Sequence, residues 1–425
     1  MKKITLICAV LATLLAVSCG KDVKPAAPMT SSEIQEKMST VAVNVLNEVD
    51  PDNWKEFGQT GLNLIYELQN TQEGNLDNLR EDISELFVTK GTDPETQLKT
   101  TLILIKLSLL TGDVTIEDGA FKYTESKNPL NFTMVYDGKT YKAQMEASGE
   151  SSQAITLYES ETETRLNTLQ AYIPAKAAVH VTENGKLFMD LSINPVVVDN
   201  NKNGQLDMED LIQGSVLFQI PGYSFSISDL SLSAAELKGK MELRHNSTSV
   251  LYLDGRLEYG IVFNDDVKSV ITEILQHLAL EEVEVNTLSI MGGQAVIKGE
   301  ADVDDIKKVG TTICATESEA QLKATALNNA IKATLQFDNN PTVQASFVAM
   351  VVDRGEGYNK PYSVQPGLRF ADGSDDILVE EFFDMSTDNV AWDAIKSKVL
   401  TFKEKLSKYF GELIQRLSKK EEGLK

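Results

Sequence analysis

Two dipeptides constrain this chain more than anything else in it. Asp137-Gly138 lies between the alternating runs 132–136 and 140–145, and Asn184-Gly185 lies between 179–182 and 187–193. Both central positions of a tight two-residue hairpin need positive φ, which Asn, Asp and Gly tolerate. A chain carrying such turns between period-two segments builds antiparallel sheet. Asp254-Gly255, between 250–253 and 257–263, reads as a third hairpin. Along 257–263 the residues Leu257, Tyr259, Ile261 and Phe263 face one way. Tyr223, Phe225 and Ile227 do the same, opposite Ser224, Ser226 and Ser228. The region 111–310 therefore reads as an antiparallel meander with an apolar and a wet face, the former needing a cover of helix or ligand.

Before it, residues 31–110 read as a helical layer. Thr30 and Glu33 have the form of a capping box, and Ile34, Met38, Val41, Val45 and Val49 recur at helical spacing. Asp50-Pro51 stops that helix and begins a second, with Trp54, Phe57, Leu62, Ile65 and Leu68 on its apolar face. A third is expected near Leu76, Leu79, Ile83 and Leu86, while 98–110 is apolar on most sides and reads as buried helix or strand. Further helices are expected at 267–280 and 318–335, and strands at 343–352 and 377–383. The region 311–425 ends in a long amphipathic helix, where Trp392, Ile395, Val399, Phe402, Leu406, Tyr409 and Leu413 form a heptad-like stripe. That helix packs on the sheet, holds a protein partner or lies on a membrane surface. The fold class is thus α+β: an N-terminal helical layer, an antiparallel β meander packed by helices, and a long C-terminal helix.

The N-terminus carries the next signal. Basic Met1-Lys2-Lys3 precedes an apolar run from Ile4 to Val17, the length of a signal-peptide core and short for a membrane span. It ends Ala16-Val17-Ser18-Cys19, which resembles the lipobox of bacterial lipoproteins. The resemblance implies a signal peptide at 1–18, cleavage before Cys19, and acylation (palmitate among the chains) of that cysteine. Gly20 in place of Asp omits the inner-membrane retention signal of that family, which points to the outer membrane. Lys21-Asp22 resembles, with a single acid, the signal for export to the cell surface, so a periplasmic or a surface-facing position is implied. Residues 19–30 read as a tether.

Residues 199–210 run Asp-Asn-Asn-Lys-Asn-Gly-Gln-Leu-Asp-Met-Glu-Asp. A hard cation wants six or more oxygens converging from one short segment, with Gly at the sixth position for the sharp turn. Asp199, Asn201 and Asn203 supply short oxygen side chains, Gln205 its carbonyl, Asp207 a direct or water-mediated donor, and Asp210 closes the loop. The segment is similar to the calcium loops of dockerins and other EF-hand relatives. It departs from them in having Asp210 for the long bidentate Glu, strand-like 195–198 for the entering helix, and one copy rather than two. The implied ion is calcium, ordering a connection rather than doing chemistry.

Charge narrows the partners. There are 40 basic and 63 acidic residues, and loss of Lys2 and Lys3 with the signal makes the mature chain −25. Such a body repels nucleic acid and anionic membrane surface. With Cys8 in the signal and Cys19 acylated, Cys314 has no disulfide partner and reads as a buried small residue. His180, His245 and His277 stand in no metal-ligand spacing and read as structural. No nucleophile elbow or phosphate loop is present, though among 63 acids a carboxylate pair such as Glu380-Glu381 leaves a hydrolase open. The function implied is a membrane-anchored, non-catalytic binding role for an apolar ligand. The alternatives are an assembly lipoprotein or a glycan-uptake accessory acting through a protein partner.

Overall fold

The computed structural model describes residues 26–75, 89–92, 99–117, 119–162, 165–200, 202–204, 210–233, 235–261, 278–355, 357–384 and 390–423. Helix α1 (Ser31–Glu48) opens on the expected capping box: Glu33 N–H donates to Thr30 Oγ1 at 3.3 Å and Thr30 N–H to Glu33 Oε2 at 2.7 Å. Its Ile34 and Val41 are buried. Helix α2 (Lys55–Asn70) follows a single turn at Pro51–Asn53 and has Trp54 as its N-cap. The chain divides into two compact units, one comprising 1–51, 238–259 and 280–405, the other 52–237, 260–279 and 406–425.

The second of these holds α2 and the expected meander. After α2 the described chain turns to strand, not helix: β1 (Gln72–Asn75), β2 (Thr89–Thr92) and β3 (Lys99–Ile105). Among the described residues, 31–110 holds two α-helices followed by strand. The third expected helix, near 76–86, lies outside the described residues, and of 98–110 the described chain is strand over Lys99–Ile105 and a single 3-10 turn at Leu107–Leu109. Thr100, Thr101, Ile103 and Ile105 are β-branched, and β3 pairs in parallel with β9 (Arg165–Ala171), itself antiparallel to β8 (Ile155–Thr162). The larger array of this unit runs β5 (Ala120–Pro129), β4 (Thr111–Glu117), β6 (Asn131–Tyr136), β7 (Lys139–Ser148), β10 (Lys176–Glu183), β11 (Lys186–Val198), β12 (Leu211–Ile220) and β13 (Tyr223–Leu232). Antiparallel pairing dominates it. Two of the three predicted hairpins are present here, with φ of 50° and 71° at Asp137-Gly138 and 48° and 79° at Asn184-Gly185. Along β13 the predicted wet face is not clean, since Ser224 and Ser226 are as half-buried as Tyr223 and Phe225.

The other unit packs α1 against a largely antiparallel array: β14 (Glu236–His245), β15 (Thr248–Ile261), β16 (Leu278–Ile290), β17 (Ala295–Asp302), β19 (Ile331–Phe337), β20 (Ala345–Asp353), β21 (Tyr362–Phe370) and β22 (Ile377–Leu378), with the two-residue β18 (Ile313–Cys314) beside β21. Short α3 (Val303–Val309), α4 (Glu317–Ala330) and α5 (Val379–Phe382) punctuate it. Ile34, Val41, Val250, Ile297, Leu335, Phe370, Phe382 and Trp392 share its main core. Cys314 is fully buried, as its reading required.

Three sequence expectations fail here. Asp254-Gly255 is not a hairpin, because β15 runs straight through it and the chain reverses at Asn246 (φ 53°) instead. Gly255 serves close approach: a Cβ there would sit 2.7 Å from the carbonyl oxygen of Glu284. The helix expected at 318–335 ends at Ala330, where Ile331, Thr334 and Leu335 leave it to pair with β17. The strand expected at 377–383 is two residues of β22 followed by α5. The helix expected at 267–280 lies outside the described residues except for 278–280, which belong to β16. The protein is accordingly more sheet-rich than a helical layer on a meander, while remaining a mixed fold. The C-terminal helix α6 (Val390–Gly423) is present, with Trp392, Ile395 and Phe410 buried, but Val399 on the same stripe is 47% exposed.

Candidate ligand-binding site

Within the unit containing α2, one face of that helix and one face of the sheet enclose a cavity of about 720 Å³. Phe57, Gly58, Gly61, Leu62, Ile65 and Leu68 recur at steps of three and four, so α2 presents them together. The register of the strands supplies the floor. Met134 pairs with Tyr141 across β6 and β7, Phe132 with Ala143, and Ala143 with Val181 of β10. Residues in direct register share a face, so these side chains project together, joined by Phe188 and Met189 of β11. Leu406 and Phe410 close one side. Phe57 and Tyr141 both pack on Phe188, with centroids 4.9 and 5.4 Å away.

The lining is apolar apart from the Tyr141 phenol and the indole N–H of Trp54. Tyr141 is 4% exposed, and its hydroxyl donates to Glu183 Oε1 at 2.6 Å. Glu183 also receives Lys139 Nζ at 2.8 Å, and Lys139 stands 3.6 Å from Glu56 of α2. Burial, then Glu183, raises the Tyr141 pKa, so the phenol stays protonated and donating. The bonds from Lys139 and Tyr141 lower that of Glu183. A polar relay thus satisfies the only hydroxyl of the lining.

Gly61 is the informative residue. It lies in the interior of α2, where glycine costs about 1 kcal/mol relative to alanine, and no atom lies within 4 Å of the place its Cβ would take. The missing side chain is open volume in the cavity wall. Gly58, three residues earlier, is different: its Cβ would meet the Phe410 ring at 2.7 Å, so this glycine lets the ring lie on the helix backbone. The sequence signal for this site was present, two glycines inside a helical apolar stripe, but the strand residues that face them are joined only by register.

The predicted calcium loop is described in part. Asn201, Gln205 and Asp207 lie outside the described residues. Asp199 accepts from the Asn203 N–H at 3.2 Å and the Gly204 N–H at 2.9 Å. Asp210, 3% exposed, accepts from the Asn200 N–H at 2.8 Å. Lys202 and Gly204 both have positive φ, 61° and 73°, so the backbone folds back on its first residue. Gly204 O accepts from Thr156 N–H at 3.0 Å, which fixes the loop to β8. The first and last carboxylates of the loop thus each accept backbone N–H groups from within 200–204. Among the described residues no group of three or more His, Cys, Asp or Glu side chains is placed to hold a metal.

Cys19 and His277 lie outside the described residues. His180, on β10, has Nδ1 2.7 Å from Asp190 and Nε2 3.9 Å from Glu146. His245 Nδ1 meets Glu48 at 2.6 Å. Both histidines tie strands or a helix to their neighbours. No helix among the described residues is long and apolar enough to cross a membrane. The chain matches no family model, and no curated protein and no solved structure shows significant similarity to it.

Proposed function

We propose that this chain is an outer-membrane lipoprotein, anchored through acylated Cys19 and facing either the periplasm or the cell surface. It binds a small apolar ligand non-catalytically in the cavity beneath α2. The observation that carries the binding role is the cavity itself. At about 720 Å³ it falls within the range of about 300–1,000 Å³ typical of small-molecule sites. Its walls suit an acyl chain or comparable hydrocarbon, for which each buried methylene contributes about 0.8 kcal/mol. Calcium at residues 199–210 orders the connection between β11 and β12. Asp199 and the buried Asp210 support that role.

The test is titration of a fluorescent fatty acid into the chain and into a Gly61→Phe variant. Saturable binding in the former and its loss in the latter, with the fold retained, is the expected result. Equal binding by both would remove the cavity as the site.

A second reading, an assembly lipoprotein that holds a protein through α6, rests on Val399 and Leu400, which are 47% and 61% exposed. Removing α6 would not test it, because that also removes Trp392 from its core. Val399→Asp with Leu400→Asp leaves the core intact and would abolish partner capture on this reading. Glycan stacking has weak support, since Trp392 is buried and Trp54 lines the cavity.

A further inference from the structure

The first described residues are clamped to the sheet of their own unit. The Ala26 N–H donates to Thr342 Oγ1 at 2.9 Å and to Asn340 Oδ1 at 3.3 Å. Gln344, 2% exposed, accepts the Met29 N–H on Oε1 at 2.8 Å and donates from Nε2 to the Ala27 carbonyl at 3.3 Å. One buried amide thus gives the incoming chain the donor and acceptor that a neighbouring strand would give. The main chain of Gln344 is itself fixed, its N–H to Leu335 O at 2.8 Å and its carbonyl to Ala371 N–H at 3.0 Å. The clamp sits on the connection from β19 to β20, at one end of those strands. At the other end of β20 the Arg354 N–H bonds Pro361 O at 2.6 Å, closing the connection to β21.

We propose that the end of this sheet bearing Asn340–Gln344 faces the lipid surface and the Arg354–Pro361 end faces away from it. The proposal rests on the lipid anchor at Cys19. From Cys19 to Ala26 is seven residues, which reach at most about 25 Å when fully extended. The clamp therefore converts an N-terminal anchor into a point of attachment at one end of the strands, and no slack extends beyond it. The nine residues of β20 carry the chain about 30 Å farther along the strand. The net charge of the body opposes its lying flat on an anionic surface. The lipid surface thus selects which end of the unit is presented to solvent.

The experiment uses the full lipidated chain in phosphatidylcholine vesicles with a headgroup-attached acceptor dye. The donor is placed on Asp375→Cys, in the connection after β21 beside the clamp, or on Asn359→Cys at the opposite end; both positions are exposed, and Cys314 is fully buried against labelling. Energy transfer falls steeply with distance, so transfer from position 375 is expected to exceed that from 359 several-fold. A Gly-Ser insertion between Lys24 and Pro25 should lower transfer from 375. Equal or reversed transfer from protein that floats with the vesicles would overturn the orientation while leaving the anchor intact. Failure of the native chain to float, matching a Cys19→Ser control, would overturn the anchor and the orientation with it.

Discussion

The indole of Trp54 stacks on the ring of Phe410 with centroids 5.0 Å apart and planes 5° from parallel. Gly58 makes this possible, since a side chain there would occupy the ring's position. The stack joins the start of α2 to α6 at the side of the cavity, and Gln59 Nε2 donates to the Tyr409 carbonyl beside it at 3.0 Å. Phe410→Ala should cost about 3–5 kcal/mol as a buried aromatic truncation. Because Trp392 lies in a separate core, the red shift in emission should come from Trp54 alone, and a Trp54→Phe background should abolish it. Denaturant melts followed by fluorescence check both.

Gly61→Leu should separate binding from stability. Beyond its own helix backbone and chain neighbours, the added side chain meets no atom within 4 Å of its Cβ, and leucine is a better helix former than glycine, by somewhat less than the about 0.8–1 kcal/mol that separates glycine from alanine. The thermal midpoint should hold or rise while affinity for a fluorescent fatty acid falls at least tenfold. A fall in midpoint would mean that the space beside Gly61 is closed in solution.

Calcium should raise the thermal midpoint of the soluble form, residues 20–425. At about ten times its Kd a ligand confined to the folded state adds about 1.4 kcal/mol. Chelator should reverse the shift, and Asp199→Ala with Asp210→Ala should abolish it. Asp210→Ala should also destabilise the calcium-free protein, by about 1–3 kcal/mol, because the Asn200 N–H loses its buried acceptor.

The Glu183 relay sets an acid limit on the cavity. Its folded pKa lies below the ordinary carboxylate value because Lys139 and Tyr141 bond the ionised form. The unfolded chain takes up the proton first as pH falls. The stabilisation is therefore complete above about pH 5 and is lost as pH drops through the ordinary carboxylate pKa near 4.3 toward the lower folded value. Glu183→Gln should flatten the dependence of the denaturation midpoint between about pH 5 and 3. An unchanged slope would assign the acid transition to other carboxylates.

Legibility followed the range of the interactions. The capping box at Thr30, the stop at Asp50-Pro51 and the turns at Asp137-Gly138 and Asn184-Gly185 are settled within four residues, and each appears as its sequence implied. Asp254-Gly255 has the same dipeptide chemistry but a different cause. Its glycine answers the Glu284 carbonyl, which comes from the neighbouring strand, and no local reading distinguishes that need from a turn. Residues 331–335 fit the helix expected at 318–335 because Ala333 and Leu335 suit either period; pairing with β17 decides for strand.

By itself, then, the sequence determined the reversals at Asp137-Gly138 and Asn184-Gly185, which segments alternate, and the features of 1–19 and 199–210 that imply an anchor and a cation. These depend on backbone dihedrals and on side chains a few bonds apart. Only the tertiary structure decided that α2 roofs a cavity, that Phe132, Met134, Tyr141 and Val181 form its floor, and that Gln344 grips residues 27 and 29 from more than three hundred positions away. Strand register and helix placement arise from burying apolar surface across the whole chain, and a side chain's neighbours across a sheet leave no mark on its neighbours in sequence.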